Sequence, residues 1–211
     1  MRWSPLVVVP EARCVEACDA DAQLMMRFKA GDLAAFEVLF ARHARSLVNF
    51  AFRFVRNREV AEELAQEVFI KVHDAAPGYR PEARFTTWLF RIATNVCLNE
   101  IRRAQYKARH ESLDAPPGDD ADAQPLELAD TSRLGADVLL ERRAVSESIK
   151  GALATLPEKQ RIAFILNKYQ ELSYAEVAEV MDVSEKAVKS LIHRAKEAMA
   201  QRLRPLLHGL I

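Results

Sequence analysis

The sequence contains only three cysteines, Cys14, Cys18 and Cys97, among 211 residues. An odd, small number of thiols cannot staple a fold, which points to a reducing compartment and a cytoplasmic protein. Cys14 and Cys18 stand four apart, but no histidine or further cysteine nearby completes a four-ligand zinc site, so they read as ordinary thiols. Long hydrophobic runs are also missing. Leu6 to Val9 is too short for a signal-peptide core and far too short to span a bilayer, so no membrane insertion is expected. No stretch alternates polar and apolar residues as a half-buried strand would. There is no P-loop, no His-Glu-x-x-His metal motif and no nucleophile elbow, so nothing calls for a cofactor, a metal or a catalytic residue.

Net charge is absent as well, with 30 basic and 30 acidic side chains, but the balance is uneven along the chain. Residues 1–110 carry 17 basic and 13 acidic side chains, 111–141 carry one and nine, and 142–211 carry 12 and eight. Two mildly basic blocks flanking an acidic strip suit a nucleic-acid binder. Half of the residues are hydrophobic, enough to bury a core.

The periodicity is helical and predicts an all-α chain of two helical domains. Residues 1–20, with Pro5 and Pro10, read as a disordered N-terminal arm. Asp32 is placed to cap a long helix in which Leu33, Phe36, Leu39, Phe40, Leu47, Phe50 and Phe54 recur at helical spacing. A second helix follows Asn57-Arg58 and ends at Pro77-Gly78. Thr86 or Thr87 is expected to cap a third, reaching about Lys107. This first domain spans 21–110. Residues 111–137, rich in proline and acidic side chains, read as a flexible linker with an rms span of roughly 25–30 Å. The second domain, 138–205, should hold a helix to about Thr155, another from Pro157 to Lys168, then two shorter helices, leaving 206–211 as a tail. Ser173 and Glu176 are spaced for a capping box, and Ser184 can cap the helix after it. Only Met181-Asp182-Val183 separates those two, which is the spacing of a helix-turn-helix.

Three helix faces stand out. The helix after Ser184 puts Val188, Leu191, Ile192, Ala195 and Met199 on one side, and Lys186, Lys189, Ser190, His193, Arg194 and Lys196 on the other. That division suits a recognition helix offering donors to base edges and phosphates, although a solvated lysine-rich helix would look similar. In the third helix, Trp88, Arg91, Asn95, Asn99 and Arg102 line one side, as stacking on unpaired bases requires; the plainer reading is a core tryptophan beside solvated arginines. The second helix shows Glu62, Glu63, Gln66 and Glu67 with Ile70 one turn on, either a protein-docking face or a solvated one with a stray isoleucine.

The stretch Ala61-Glu62-Glu63-Leu64-Ala65-Gln66-Glu67-Val68-Phe69-Ile70-Lys71, followed by Phe85-Thr86-Thr87-Trp88-Leu89-Phe90-Arg91-Ile92-Ala93-Thr94-Asn95, resembles regions 2.2 to 2.4 of the extracytoplasmic-function (ECF) sigma factors of the sigma-70 family. Leu156-Pro157-Glu158-Lys159-Gln160-Arg161, then Leu172-Ser173-Tyr174-Ala175-Glu176-Val177-Ala178, through His193-Arg194-Ala195-Lys196, resembles their region 4. The likeness runs in order from about Asp21 to Arg204 and is strongest to the sigma-E-like members.

The resemblance implies a bacterial transcription initiation factor that binds core RNA polymerase and directs it to −10 and −35 promoter elements, with no chemistry of its own. It implies that Glu63, Gln66, Glu67 and Ile70 dock on the β′ clamp helices, with the β flap as a second polymerase contact. By the same likeness Tyr79 belongs to the loop that pockets a flipped −10 base that Asn95 contacts, and Trp88 and Arg91 fall in the melting region, with Asn99 of the same helix face counted beside them. Lys189, Ser190, His193 and Arg194 match the positions that read the −35 element, Lys186 and Lys196 of the same exposed face join them as −35 DNA contacts, and an anti-sigma factor is an expected partner. The acidic linker would thread toward the RNA exit path, where its charge could mimic RNA. Asp182 stands where many helix-turn-helix proteins have glycine, and aspartate tolerates the left-handed geometry. Leu191 and His193 stand where relatives often carry arginine and phenylalanine, which bears on the −35 sequence read rather than on the activity. The competing reading is a free-standing helix-turn-helix regulator with a helical sensor domain, which would need neither the docking face nor the Trp88–Asn95 face.

Overall fold

A computed structural model describes residues 19–111 and 136–208, and every regular element in them is helical. The expected N-terminal arm up to residue 18, Cys14, Cys18 and nearly all of the 111–137 linker lie outside the described residues. In chain order the helices are α1 (Ala20–Lys29), α2 (Leu33–Val55), α3 (Arg58–Ala75), α4 (Phe85–Glu111), α5 (Ala136–Ala154), α6 (Glu158–Tyr169), α7 (Tyr174–Met181) and α8 (Glu185–His208), with a single 3-10 turn at Ala76–Gly78.

Short side chains set most of the boundaries. The Asp32 carboxylate accepts the Ala35 N–H and opens α2, and the Asn57 amide oxygen accepts the Val60 N–H and opens α3. Between α1 and α2 the chain turns through Gly31 at φ +103, a conformation that residues with a Cβ rarely adopt. The α4 start differs from expectation. The helix begins at Phe85, and its first N–H is capped by Asp19 Oδ2 at 2.7 Å, not by Thr86 or Thr87. The same carboxylate caps α1 through Oδ1 to the Asp21 and Ala22 N–H groups. A cap supplied from 66 residues away cannot be read from local spacing.

In the second domain the capping box of Ser173 and Glu176 and the Ser184 cap on Ala187 are present. Asp182 takes the left-handed conformation (φ 54, ψ 51) in the turn between α7 and α8. Pro157 sits at the N-cap of α6, one place before the expected first helical position. Helix α8 is not short: its 24 residues run through Pro205 to His208, so the first half of the expected tail is helical, and 209–211 lie outside the described residues.

The core of the first domain forms where α2, α3 and α4 converge, around Leu39, Leu47, Phe50, Val68, Val72, Phe85 and Leu89. Phe50 packs on Phe54 and Phe90 at ring separations of 5.0 and 5.2 Å, tying α2 to α4. The second domain closes around Ile162, Ile165, Leu166, Val177, Val188 and Ile192, with a satellite of Leu153, Leu156, Ala195 and Met199 between α5 and α8.

Candidate nucleic-acid interface

The expected surfaces lie on three helices, each on the side away from its own buried stripe. On α8, Val188, Ile192, Ala195 and Met199 are buried, while Lys186, Lys189, Ser190, His193, Arg194 and Lys196 are all exposed. Their electrostatics differ. Lys189 pairs with Glu185 at 3.2 Å and His193 with Glu197 at 3.5 Å, one turn apart in each case. Among the described residues Arg194 has no carboxylate partner, so its whole guanidinium fork remains available.

On α4, Leu89, Ala93, Val96 and Cys97 are buried, and burial pushes the Cys97 thiol up to about 12, leaving it inert. Arg91, Asn95, Asn99 and Arg102 face outward, with Trp88 half-buried at the head of the row. Beside Trp88 lies an open recess of about 540 Å³ lined by Asp74, Ala75, Gly78, Tyr79, Arg80, Glu82 and Trp88. Tyr79 is not presented at its rim. The ring is 3% exposed, packed edge-on against Trp88 at 4.8 Å, and held in place by Lys29 Nζ donating to its carbonyl at 2.8 Å. Burial, with the nearby Asp19 charge, pushes the Tyr79 phenol up to about 12, so it stays a neutral donor; its hydroxyl is buried without a partner. The recess-lining Asp74, at the end of α3, and Arg80 and Glu82, in the loop before α4, escape sequence reasoning, because they lie where the helical periodicity has ended or is about to.

On α3, Glu63, Gln66, Glu67 and Ile70 are exposed, Ile70 at 61%. Glu67 is only loosely held, 3.3 Å from Lys71 on the same helix. Beneath this face Phe69 is buried against Phe40 of α2 at 4.6 Å, so the exposed row stands on a rigid floor. An apolar side chain exposed among carboxylates on a well-packed helix suits a protein partner better than DNA.

A model of sigma-70 region 2 matches residues 39–106, and one of sigma-70 region 4 matches residues 146–199. The RNA polymerase sigma-H factor of Pseudomonas aeruginosa is 32% identical over 90% of this chain and 96% of its own length. The ECF RNA polymerase sigma-E factor of Escherichia coli is 31% identical over 89% and 96%. The chain belongs to the ECF sigma factors of the sigma-70 family.

A sigma factor is a non-enzymatic initiation factor that gives RNA polymerase its promoter specificity, and that is the activity of this chain. The competing reading, a free-standing regulator with a sensor domain, is set aside, because the matches cover both domains. The fold agrees with two solved structures. One is CnrH in complex with the cytosolic domain of CnrY (TM-score 0.62, 24% identity, covering 89% of this chain and 99% of that one). The other is the sigma factor RpoE with the anti-sigma factor NepR from Bartonella quintana (TM-score 0.60, 21% identity, covering 80% and 96%). Among the described residues no helix of this sigma factor is long and apolar enough to cross a membrane.

Proposed function

We propose that this sigma factor divides its work among the three faces: α3 docks on the β′ clamp helices of core polymerase, α4 with the Tyr79 loop melts and reads the −10 element, and α8 reads the −35 element. The observation that carries this reading is the separation of each exposed row from the buried stripe of the same helix, with Trp88 half-buried at the head of the α4 row. Side chains so placed contribute little to folding and are free to be chosen for binding. Glu63, Gln66, Glu67 and Ile70 form the polymerase face. Trp88, Arg91, Asn95 and Asn99 take the unpaired strand, with the recess beside Tyr79 receiving an extruded base. The domains act as 21–110 and 138–205, joined by the 111–137 linker, with the β flap as the second polymerase contact. An anti-sigma factor, the kind of partner seen with RpoE, is the expected regulator, and the site of action is the cytoplasm. A run-off transcription assay with purified core polymerase tests the division as a whole, since each face should fail at its own step.

Asn95→Ala is expected to leave closed-complex binding intact and impair strand opening. An amide that holds an extruded base contributes only once the strands part. Permanganate footprinting of unpaired thymines reads this step; normal melting with weakened duplex affinity would remove Asn95 from the −10 contacts.

Arg194→Ala should relax a single −35 base position at a loss of about 1–3 kcal/mol, because an unpaired guanidinium can bond guanine bidentately. Lys196→Ala should instead weaken all sequences alike and lower the salt slope by about 1. Binding profiles against a library randomised across the −35 element separate the two. A uniform loss for Arg194→Ala would reduce it to a backbone contact.

A further inference from the structure

The loop that lines the recess has little of its own to hold it. Residues 79–84 follow Gly78, where a Cβ would meet nothing within 4 Å, and they include Pro81, which has no N–H to donate. Inside the loop the Glu82 N–H closes on the Arg80 carbonyl at 2.9 Å, a three-residue turn that does nothing to fix the loop on the domain. Among the described residues, the backbone from Tyr79 to Phe85 is hydrogen-bonded beyond the loop and its flanking helices only by α1. Lys29 Nζ donates to the Tyr79 carbonyl at 2.8 Å, and Asp19 accepts the Phe85 N–H at 2.7 Å.

An exposed lysine ordinarily leaves its ammonium in water and its rotamers free. Lys29 instead commits a donor to a carbonyl 50 residues along the chain. The helix that carries it is firmly seated. Ala22 and Met25 are fully buried, and Phe28, the residue before Lys29, stacks on Phe36 of α2 at 4.6 Å and meets His73 of α3 at 5.5 Å. Arg27 is clamped to Asp32 by bonds of 2.6 and 3.0 Å, which fixes the turn out of α1. The Lys29 donor is charged, so its bond to the carbonyl is stronger than a neutral one. The peptide unit is planar, so holding the Tyr79 carbonyl also sets the direction of the Arg80 N–H and the start of a residue that lines the recess.

We propose that Lys29 is a positioning residue for −10 recognition: by holding the Tyr79 carbonyl it sets the shape of the recess between Trp88 and Arg80, and so which base the recess accepts, without itself touching DNA. The proposal rests on the assignment of that recess to an extruded base. Released from Lys29, the loop pivots at Gly78, the Tyr79 ring leaves its edge-on place against Trp88, and the two sides of the recess part. A base then has to order the loop as it enters, and the cost of that ordering is taken from binding and from discrimination between bases. The −35 face on α8 is untouched by the change, and so is the α3 face.

The test compares Lys29→Met, which has no donor, with Lys29→Arg, which can still donate, in the full chain assembled with core polymerase. Open-complex formation is read on a promoter library randomised across the −10 element. Lys29→Met is expected to flatten the base preference at one −10 position by about fivefold or more, and Lys29→Arg to restore most of it. Binding to a −35 half-site and the salt dependence of open-complex formation should match the parent protein. In a Trp3→Phe background Trp88 is the sole tryptophan, and acrylamide should quench it more readily in Lys29→Met than in Lys29→Arg. Either unaltered quenching or unaltered base preference in Lys29→Met would overturn the proposal. So would a salt slope lowered by about 1, the mark of a phosphate contact rather than a tether. Weakened −35 binding would also overturn it, since it would show a general loss of folding. Arg80→Ala separates the underlying reading. If it too leaves base preference unaltered, the recess does not receive the base; if it alters the preference while Lys29→Met does not, the recess stands and only the role of Lys29 falls.

Discussion

Replacing Gln66 by Ala together with Glu67 by Lys is expected to weaken binding to core polymerase by about 2–5 kcal/mol while leaving the sigma factor folded. A charge reversal at a desolvated interface leaves an uncompensated charge against the partner's own, which is where losses of that size arise. The free protein should scarcely notice. Both side chains are exposed, and the one ion pair lost, Glu67 with Lys71, is the exposed kind that contributes about 0.5 kcal/mol or less. Helix α3 keeps its buried row of Leu64, Ala65, Val68, Phe69 and Val72. A pull-down titration with core polymerase, paired with a urea melt, measures both halves. Unchanged affinity would show that polymerase docks elsewhere.

A stability loss of about 3–5 kcal/mol is expected for Phe50→Ala, the largest effect of any single substitution considered. Phe50 is fully buried and its ring meets both Phe54 and Phe90, so truncation opens a cavity where α2 and α4 are joined. The packed rings around it have little freedom to fill the space. Phe40→Ala supplies the contrast. That ring also stacks on a neighbour, Phe69 at 4.6 Å, but it is 45% exposed, so the expected loss is about 1 kcal/mol or less. Urea unfolding of the full chain reads both. Binding of Phe50→Ala to a −35 half-site should survive wherever the second domain remains folded, since Ile165, Val188 and Ile192 pack together in that domain.

The periodic parts of the molecule were legible in the sequence. The helix expected after Asn57-Arg58 is there, with Ala61, Leu64, Ala65, Val68, Phe69 and Val72 buried at helical spacing, and the capping box at Ser173 and Glu176 closes as its spacing requires. These features depend on residues within two turns of one another. The second buried side of α4 was not legible. Periodicity reports one apolar stripe, and Thr87 is a buried polar residue that meets Glu176, 89 residues later in the chain. Glu176 read as a helix cap, which it is, but its other oxygen was spoken for by the first domain. Tyr79 shows a further limit. Its likeness to the family's loop aromatic implies contact with a flipped −10 base during initiation, whereas the structure holds the ring inward against Trp88. A base entering the recess, as proposed, would therefore compete with an existing ring contact or take its place.

The single carboxylate of Asp19 holds the first turns of two helices at once, α1 through one oxygen and α4 through the other. Where a protease or an expression boundary trims the chain then matters in steps of one residue. Trimming up to residue 18 leaves that clasp whole. Removing Asp19 as well strips the Phe85 N–H of its acceptor at the head of the helix that carries Trp88 and Asn95. Fraying there would start from the chain's front end and surface in the part of the molecule assigned to opening DNA.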